Sequence, residues 1–98
     1  MIVDITQDNF EQYMQMNEGY MVNKTFKTDL PHTSYACAHN LAHHNSRTCR
    51  LAPSRDYPKF YASTFQEAQA EARQRWKLPC EACPNCEGET RLAGEGQV

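Results

Sequence analysis

Three closely spaced cysteines near the carboxyl end restrict this chain to a few kinds of domain. Cys80, Cys83 and Cys86 form the sequence CEACPNC, which contains two overlapping Cys-x-x-Cys steps. Such a step can offer two sulfur atoms to one metal ion, because the tight turn folds both side chains the same way. The spacing therefore predicts a metal site that needs further ligands from elsewhere in the chain.

The scarcity of aliphatic residues explains why a metal would matter to this chain. Leu, Ile, Val and Phe make up only 14 of its 98 residues. A small domain with so little aliphatic surface needs a staple, either a metal or disulfide bonds. The five cysteines are an odd number, and the first residues, MIVDITQDNF, do not resemble a secretory signal. We therefore expect a cytoplasmic protein that uses a metal rather than disulfides.

The predicted metal site joins the cysteine-rich segment to the middle of the chain. Structural Zn²⁺ takes four cysteine or histidine ligands in a tetrahedron. Cys80 and Cys83 are the first predicted pair, and His32 and Cys37, in the segment PHTSYACAHN, are the second. A zinc ion in this site would contribute folding free energy of the order of 10 kcal/mol.

Two choices within this ligand set stay open. Cys86 could replace Cys83, and either Cys49 or His39 could replace His32. An iron–sulfur cluster is a weaker alternative, because the chain lacks the fourth cysteine of the ferredoxin spacing.

The amino-terminal segments favour a small α+β domain with a short antiparallel sheet. Residues 1–5 predict a short strand. A helix follows from Thr6 or Asp8 to about Asn17, with Gly19 where a C-cap glycine belongs.

Two further strands are predicted on either side of an irregular middle. The first begins at 20–23 and either continues over 24–30 or turns back there, and the second covers 59–62. Residues 32–58 show neither a helical nor a strand period. We expect this middle to lack regular structure, with a metal as one means of ordering it.

A second helix is predicted near residues 64–77. Ser63 with Gln66 and Thr64 with Glu67 both fit the capping-box spacing at its start. Its apolar face recurs at helical intervals and consists of Phe65, Ala68, Ala72 and Trp76.

These elements predict one zinc-binding domain over residues 1–86, with a helical arm over 1–18. The polar residues 87–98, which hold three of the four glycines, are predicted to form a flexible tail. No window contains the roughly 20 apolar residues that a membrane span needs, so we expect no membrane association.

Several segments together resemble a class of small bacterial and phage zinc-binding proteins of uncharacterised role. The segments are GYMVN at 19–23, PHTSYACAHNL at 31–41, YPKFYAST at 57–64 and LPCEAC at 78–83. They are similar to a layout that runs GYVLN, His, Cys, YPK and PCxxC. The resemblance implies a zinc-binding α+β module with His32, Cys37, Cys80 and Cys83 as its ligands, and implies no particular activity.

The charge distribution suggests two kinds of partner. The net charge is −2, but residues 47–77 carry +4, while 1–30 and 78–98 each carry −3. The acidic ends favour a protein partner, as for an inhibitor or adaptor of a nucleic-acid-processing enzyme of the kind that phages and mobile elements use. The alternative is a nucleic-acid-binding protein that uses the basic residues Arg47, Arg50, Arg55 and Lys59.

We predict that the chain is not an enzyme. No carboxylate pair suggests acid–base chemistry, and four protein ligands would leave zinc no open position for water. A metal-dependent nuclease that uses His43 or His44 is a remote alternative. The sequence therefore favours a non-enzymatic, zinc-stabilised interaction module.

Overall fold

A computed structural model describes residues 1–27, 29–30, 33–44, 49, 51 and 58–86. This part of the chain forms an α+β domain with five strands and two helices, which confirms the predicted fold class. A further helical turn covers residues 84–86. The elements are β1 (Ile2–Asp4), α1 (Phe10–Met14), β2 (Tyr20–Phe26), β3 (Ser34–Asn40), β4 (Lys59–Ala62), α2 (Phe65–Trp76) and β5 (Cys80–Ala82).

The five strands form one mixed sheet in the order β1-β4-β2-β3-β5. The pairs β1–β4, β4–β2 and β2–β3 are antiparallel, whereas β5 runs parallel to β3. The parallel pair arises because α2 carries the chain from β4 across the sheet to the far side of β3. A crossover helix of this kind joins strands that point the same way.

The helix α2 covers one face of the sheet with the apolar residues that its sequence predicts. Ala68 and Ala72 are fully buried, and Phe65 and Trp76 pack at the margins of the same cluster. The small alanines let the helix backbone approach the sheet closely. Their partners in the sheet include Val22, Ala36, Ala38, Phe60 and Ala62.

The start of α2 is fixed by a capping box on Thr64. The Glu67 backbone N–H donates to Thr64 Oγ1 at 3.1 Å, and the Thr64 backbone N–H donates to Glu67 Oε1 at 3.2 Å. At the other end Lys77 adopts the left-handed conformation with φ of 58°. Of the two predicted capping pairs, the structure therefore forms the one between Thr64 and Glu67.

The helix α1 packs on the opposite face and is shorter than predicted. It covers the five residues Phe10–Met14, and it begins after Asn9 because the Asn9 side chain bonds to the backbone of the preceding segment. Asn9 Oδ1 accepts from the Thr6 backbone N–H at 2.8 Å, and Asn9 Nδ2 donates to the Asp4 carbonyl at 2.9 Å. Such side-chain bonds compete with helix formation. The core on this face consists of Phe10, Met21, Leu41 and Tyr61.

Gly19 does not cap α1, and its predicted role there was wrong. The C-cap residue of α1 is Gln15, and Gly19 lies directly before β2 with φ of 80°. A Cβ at Gly19 would lie only 2.6 Å from Cζ of Tyr61. The position needs glycine because the backbone is left-handed and the tyrosine ring packs directly against it.

The strand β3 lies within the segment that was predicted to be irregular, so that prediction was wrong for Ser34–Asn40. Four consecutive residues, 36–39, are buried. Ala36 and Ala38 face α2, while Cys37 and His39 lie on the opposite face. Because both faces of β3 are covered, its sequence does not alternate between apolar and polar residues. Polar residues such as His39 therefore occupy buried positions, and the pattern expected of a strand is absent.

Candidate metal centre

Four potential ligands meet on the face of the sheet opposite α2. One ligand atom from each of His39, Cys49, Cys83 and Cys86 lies within 4.8 Å of all the others. These residues are 5%, 7%, 3% and 0% exposed. The group is therefore both compact enough for a single ion and closed to solvent.

The backbone positions these ligands through β3 and the segment that follows β5. The Cys83 backbone N–H donates to the Ala38 carbonyl at 2.8 Å, which ties the end of β5 to the middle of β3. The helical turn over 84–86 then returns Cys86 to the same cluster. Pro84 suits the first position of this turn, because its fixed φ is already helical.

Cys49 brings a distant part of the chain to the same place. Its Sγ lies 3.2 Å from His39 Nδ1 and 3.6 Å from Cys83 Sγ. Cys49 is 10 positions from His39 in the sequence and 34 positions from Cys83. The cluster therefore joins three segments that are far apart along the chain.

The imidazole of His39 is held between the thiols and β2. Its Nε2 lies 2.7 Å from Asn23 Oδ1, and its Nδ1 lies 3.6 Å from Cys86 Sγ as well as near Cys49. The Nε2 atom of His39 thus faces the side-chain amide of Asn23, while its Nδ1 atom faces the sulfur atoms of Cys49 and Cys86.

The pKa values of the thiols in this cluster are shifted by burial and by their hydrogen bonds to one another. Hydrogen bonds from Cys37 and Cys86 hold the pKa of Cys83 far below its ordinary value. The pKa of each donor thiol is raised, first by its bond to Cys83 and then by burial. Burial and the nearby charge of Cys83 raise the pKa of Cys49 to about 11. A divalent ion bound among these thiols would favour their ionised form.

The structure brings together some of the predicted ligands and separates others. Cys83 belongs to the compact group, and Cys37 is buried in the same cysteine cluster. Cys80 pairs with Ala36 in the parallel ladder and packs with it in the core beneath α2. His32 lies outside the described residues. The other members of the compact group, His39, Cys49 and Cys86, are those that the sequence left open as replacements.

The overlapping Cys-x-x-Cys steps explain why the sequence cannot distinguish the pair Cys80 and Cys83 from the pair Cys83 and Cys86. The steps 80–83 and 83–86 have the same spacing, and only the local structure distinguishes them. Cys80 begins a strand, so its side chain follows the alternation of the sheet toward α2. The proline after Cys83 was the available signal, because it favours a turn between Cys83 and Cys86.

His44 also lies beside the group of His39, Cys49, Cys83 and Cys86. Its Nδ1 lies 3.6 Å from Cys86 Sγ, and its ring stands edge-on to that of His39 at 6.3 Å. Burial lowers the pKa of His44, and the proximity of His39 lowers it further. His44 is thus a neighbour of the proposed ligands in the described structure.

The residues of the predicted basic stretch are only partly described. Arg47, Arg50 and Arg55 lie outside the described residues. Lys59, on β4, is 8% exposed, and burial lowers its pKa. On α2, Arg75 contacts Asp4 at 2.7 Å and Glu71 at 2.9 Å. Among the described residues of this stretch, Lys59 is therefore buried and Arg75 is ion-paired, whereas Arg73 and Lys77 are exposed.

Comparisons with known proteins identify no relative. No protein-family model, curated protein or solved structure matches the chain. The resemblance to small bacterial zinc-binding proteins therefore stays a prediction. Among the described helices, none is long and apolar enough to cross a membrane.

Proposed function

We propose that this chain is a zinc-stapled domain that acts by binding a protein partner. In this proposal Zn²⁺ is held by His39, Cys49, Cys83 and Cys86. The observation that carries the proposal is the convergence of these four ligand atoms within 4.8 Å at buried positions.

The chemistry of the four donors favours zinc. Thiolate and imidazole ligands suit Zn²⁺, and three cysteines with one histidine are a frequent tetrahedral set. Hard cations such as Mg²⁺ and Ca²⁺ prefer oxygen ligands instead. The buried cysteine cluster also contains Cys37, so four thiols are close enough for an iron–sulfur cluster to be tested as the competing occupant.

The closed surroundings of the site support a structural rather than a catalytic ion. A catalytic zinc keeps three protein ligands and an open position for water. Here four protein ligands fill the tetrahedron, and the most exposed of them, Cys49, is only 7% exposed. The proposed ion therefore acts by holding β3, the end of β5 and Cys49 together.

Exposed apolar side chains favour a protein partner over nucleic acid. In the described part of the predicted basic stretch, Lys59 is buried and Arg75 is ion-paired, while Arg73 and Lys77 are exposed. Large apolar side chains are exposed near the end of β2, where Phe26 is 52% and Leu30 is 56% exposed. Large exposed apolar side chains are typical of protein interfaces, whereas a phosphate backbone is bound by basic and polar groups.

The ligand set is tested by cobalt titration of single variants. Co²⁺ in a tetrahedral thiolate site gives intense visible bands, so substitution of a ligand is directly visible. We expect Cys83→Ala and Cys86→Ala to lose these bands, because each removes one thiolate from the site. Cys80→Ala is the matched control and should keep them, since Cys80 packs beneath α2. Equal loss in all three variants would contradict the proposed set. Visible absorption of the purified chain without added cobalt would instead indicate iron–sulfur occupancy.

The partner class is tested by oligonucleotide binding at several salt concentrations. Nucleic-acid binding through several phosphates weakens by orders of magnitude between about 50 and 200 mM salt. We expect no such salt-sensitive binding of the zinc-loaded chain to random single- or double-stranded oligonucleotides. Tight, salt-sensitive binding that is lost when Arg47, Arg50 and Arg55 are changed to Glu would favour the nucleic-acid alternative.

A further inference from the structure

Asn23 lies on β2, beside the proposed zinc site but outside its ligand set. Its backbone pairs with Cys37 of β3, and the neighbouring Met21 pairs with His39. This register places the Asn23 amide on the same face as the His39 ring. The distance from Asn23 Oδ1 to His39 Nε2 is 2.7 Å, a short and well-formed hydrogen bond.

The chemistry of the amide oxygen determines the state of the histidine ring. An amide oxygen only accepts hydrogen bonds, so the proton of this contact belongs to Nε2. A neutral imidazole with its proton on Nε2 has its lone pair on Nδ1. That atom is the one that faces the thiols, at 3.2 Å from Cys49 Sγ and 3.6 Å from Cys86 Sγ.

We propose that Asn23 is a positioning residue that makes Nδ1 of His39 the metal-binding atom. The inference rests on the proposed zinc site. By holding the Nε2 proton, the amide selects the tautomer and fixes the ring plane before the ion arrives. Metal-ligating histidines usually donate their second N–H to such a partner, and loss of the partner typically weakens metal binding about 10- to 100-fold.

Three substitutions on β2 separate this role from a general effect on the strand. Asn23→Leu has a similar size but accepts no hydrogen bond. Asn23→Asp keeps an oxygen that accepts from Nε2. Thr25→Val is the matched control, because Thr25 lies two residues further along the same face of β2.

The first readout is zinc affinity, measured by competition with a chromophoric chelator. We expect Asn23→Leu to bind zinc about 10- to 100-fold more weakly than the unaltered chain. Asn23→Asp should lie closer to the unaltered chain than to Asn23→Leu, and Thr25→Val should match the unaltered chain. Unchanged affinity in Asn23→Leu would overturn the inference.

The second readout is a long-range ¹H–¹⁵N NMR spectrum of the histidine rings in the unaltered, zinc-loaded chain. We expect His39 to show a metal-bound Nδ1 and a protonated Nε2. Zinc on Nε2 would overturn the inference while leaving the proposed site intact. If the unaltered chain binds no zinc, the proposed function itself fails, so the two failures are distinguishable. This spectrum needs no substitution and therefore does not depend on whether Asn23→Leu folds.

Discussion

Cys80 and Cys83 are three positions apart but have different surroundings. Cys80 packs with Ala36 and Ala72 beneath α2, whereas Cys83 lies among the thiols on the opposite face of the sheet. Burial raises the pKa of the Cys80 thiol to about 11. A neutral thiol in an apolar core behaves as a small hydrophobic side chain, not as a ligand.

The raised pKa of Cys80 predicts a loss of stability at high pH. The thiol has a higher pKa in the folded state than in the unfolded state, whose value is near 9. Its contribution to stability is therefore complete below about pH 9 and is lost as the pH rises toward 11. We expect the free energy of unfolding of the unaltered chain to fall more over this interval than that of Cys80→Ala. Denaturant titrations of both zinc-loaded proteins at about pH 8 and pH 11 measure this, and equal losses would show that Cys80 does not contribute.

Gly19 provides a second test at the level of one residue. The left-handed backbone costs an alanine about 1–2 kcal/mol, and its Cβ would also collide with the ring of Tyr61. We expect Gly19→Ala to lower the free energy of unfolding by at least about 2 kcal/mol, measured by denaturant titration. A loss below about 0.5 kcal/mol would mean that the contact between Gly19 and Tyr61 is not as close as described.

At the level of elements, α2 depends on small residues where it meets the sheet. Ala68 and Ala72 are fully buried, and Ala70 on the same helix is exposed. We expect Ala72→Leu to cost about 1–3 kcal/mol of unfolding free energy, because the close-packed interface has no room for three more carbons. Ala70→Leu is the matched control and should change stability by less than about 0.5 kcal/mol. Similar small effects of both substitutions would contradict the packing of α2 on the sheet.

The contrast between α2 and β3 shows what the sequence can and cannot predict. The helix α2 has a regular apolar spacing and a capping box, so its range and its buried face were predicted. The strand β3 is covered on both sides, by α2 and by the thiol cluster, and its buried residues include His39. A histidine counts as a polar residue in a sequence pattern. Only the tertiary contacts show that His39 is a buried residue of a strand.

The same limit applies to the candidate site. A metal site built on the CEACPNC segment was predicted from spacing, and Cys37 and Cys83 do lie together in the structure. In the compact group, Cys83 and Cys86 come from this segment, and the other two members are His39 of β3 and Cys49. No local sequence pattern links His39 or Cys49 to the CEACPNC segment. Their proximity depends on the register of β2, β3 and β5, which cysteine spacing does not encode.

At the level of the whole molecule, the sheet separates two sides of different character. One side carries α2 over an apolar core, and the other carries α1 and the group of His39, Cys49, Cys83 and Cys86. Neither apolar cluster is rich in aliphatic side chains, and Cys86 is among the largest fully buried residues. A bound zinc, which contributes about 10–16 kcal/mol in zinc-finger peptides, would therefore rival the hydrophobic core as a source of stability.

Native mass spectrometry of the purified chain tests whether this domain folds around one zinc ion, as we propose. We expect a single dominant species whose mass exceeds that of the chain by one zinc ion. Removal of the ion by a strong chelator should also shift the charge-state distribution toward that of an unfolded chain. A compact species that carries no metal, with the same charge-state distribution before and after chelation, would show that the domain folds without zinc.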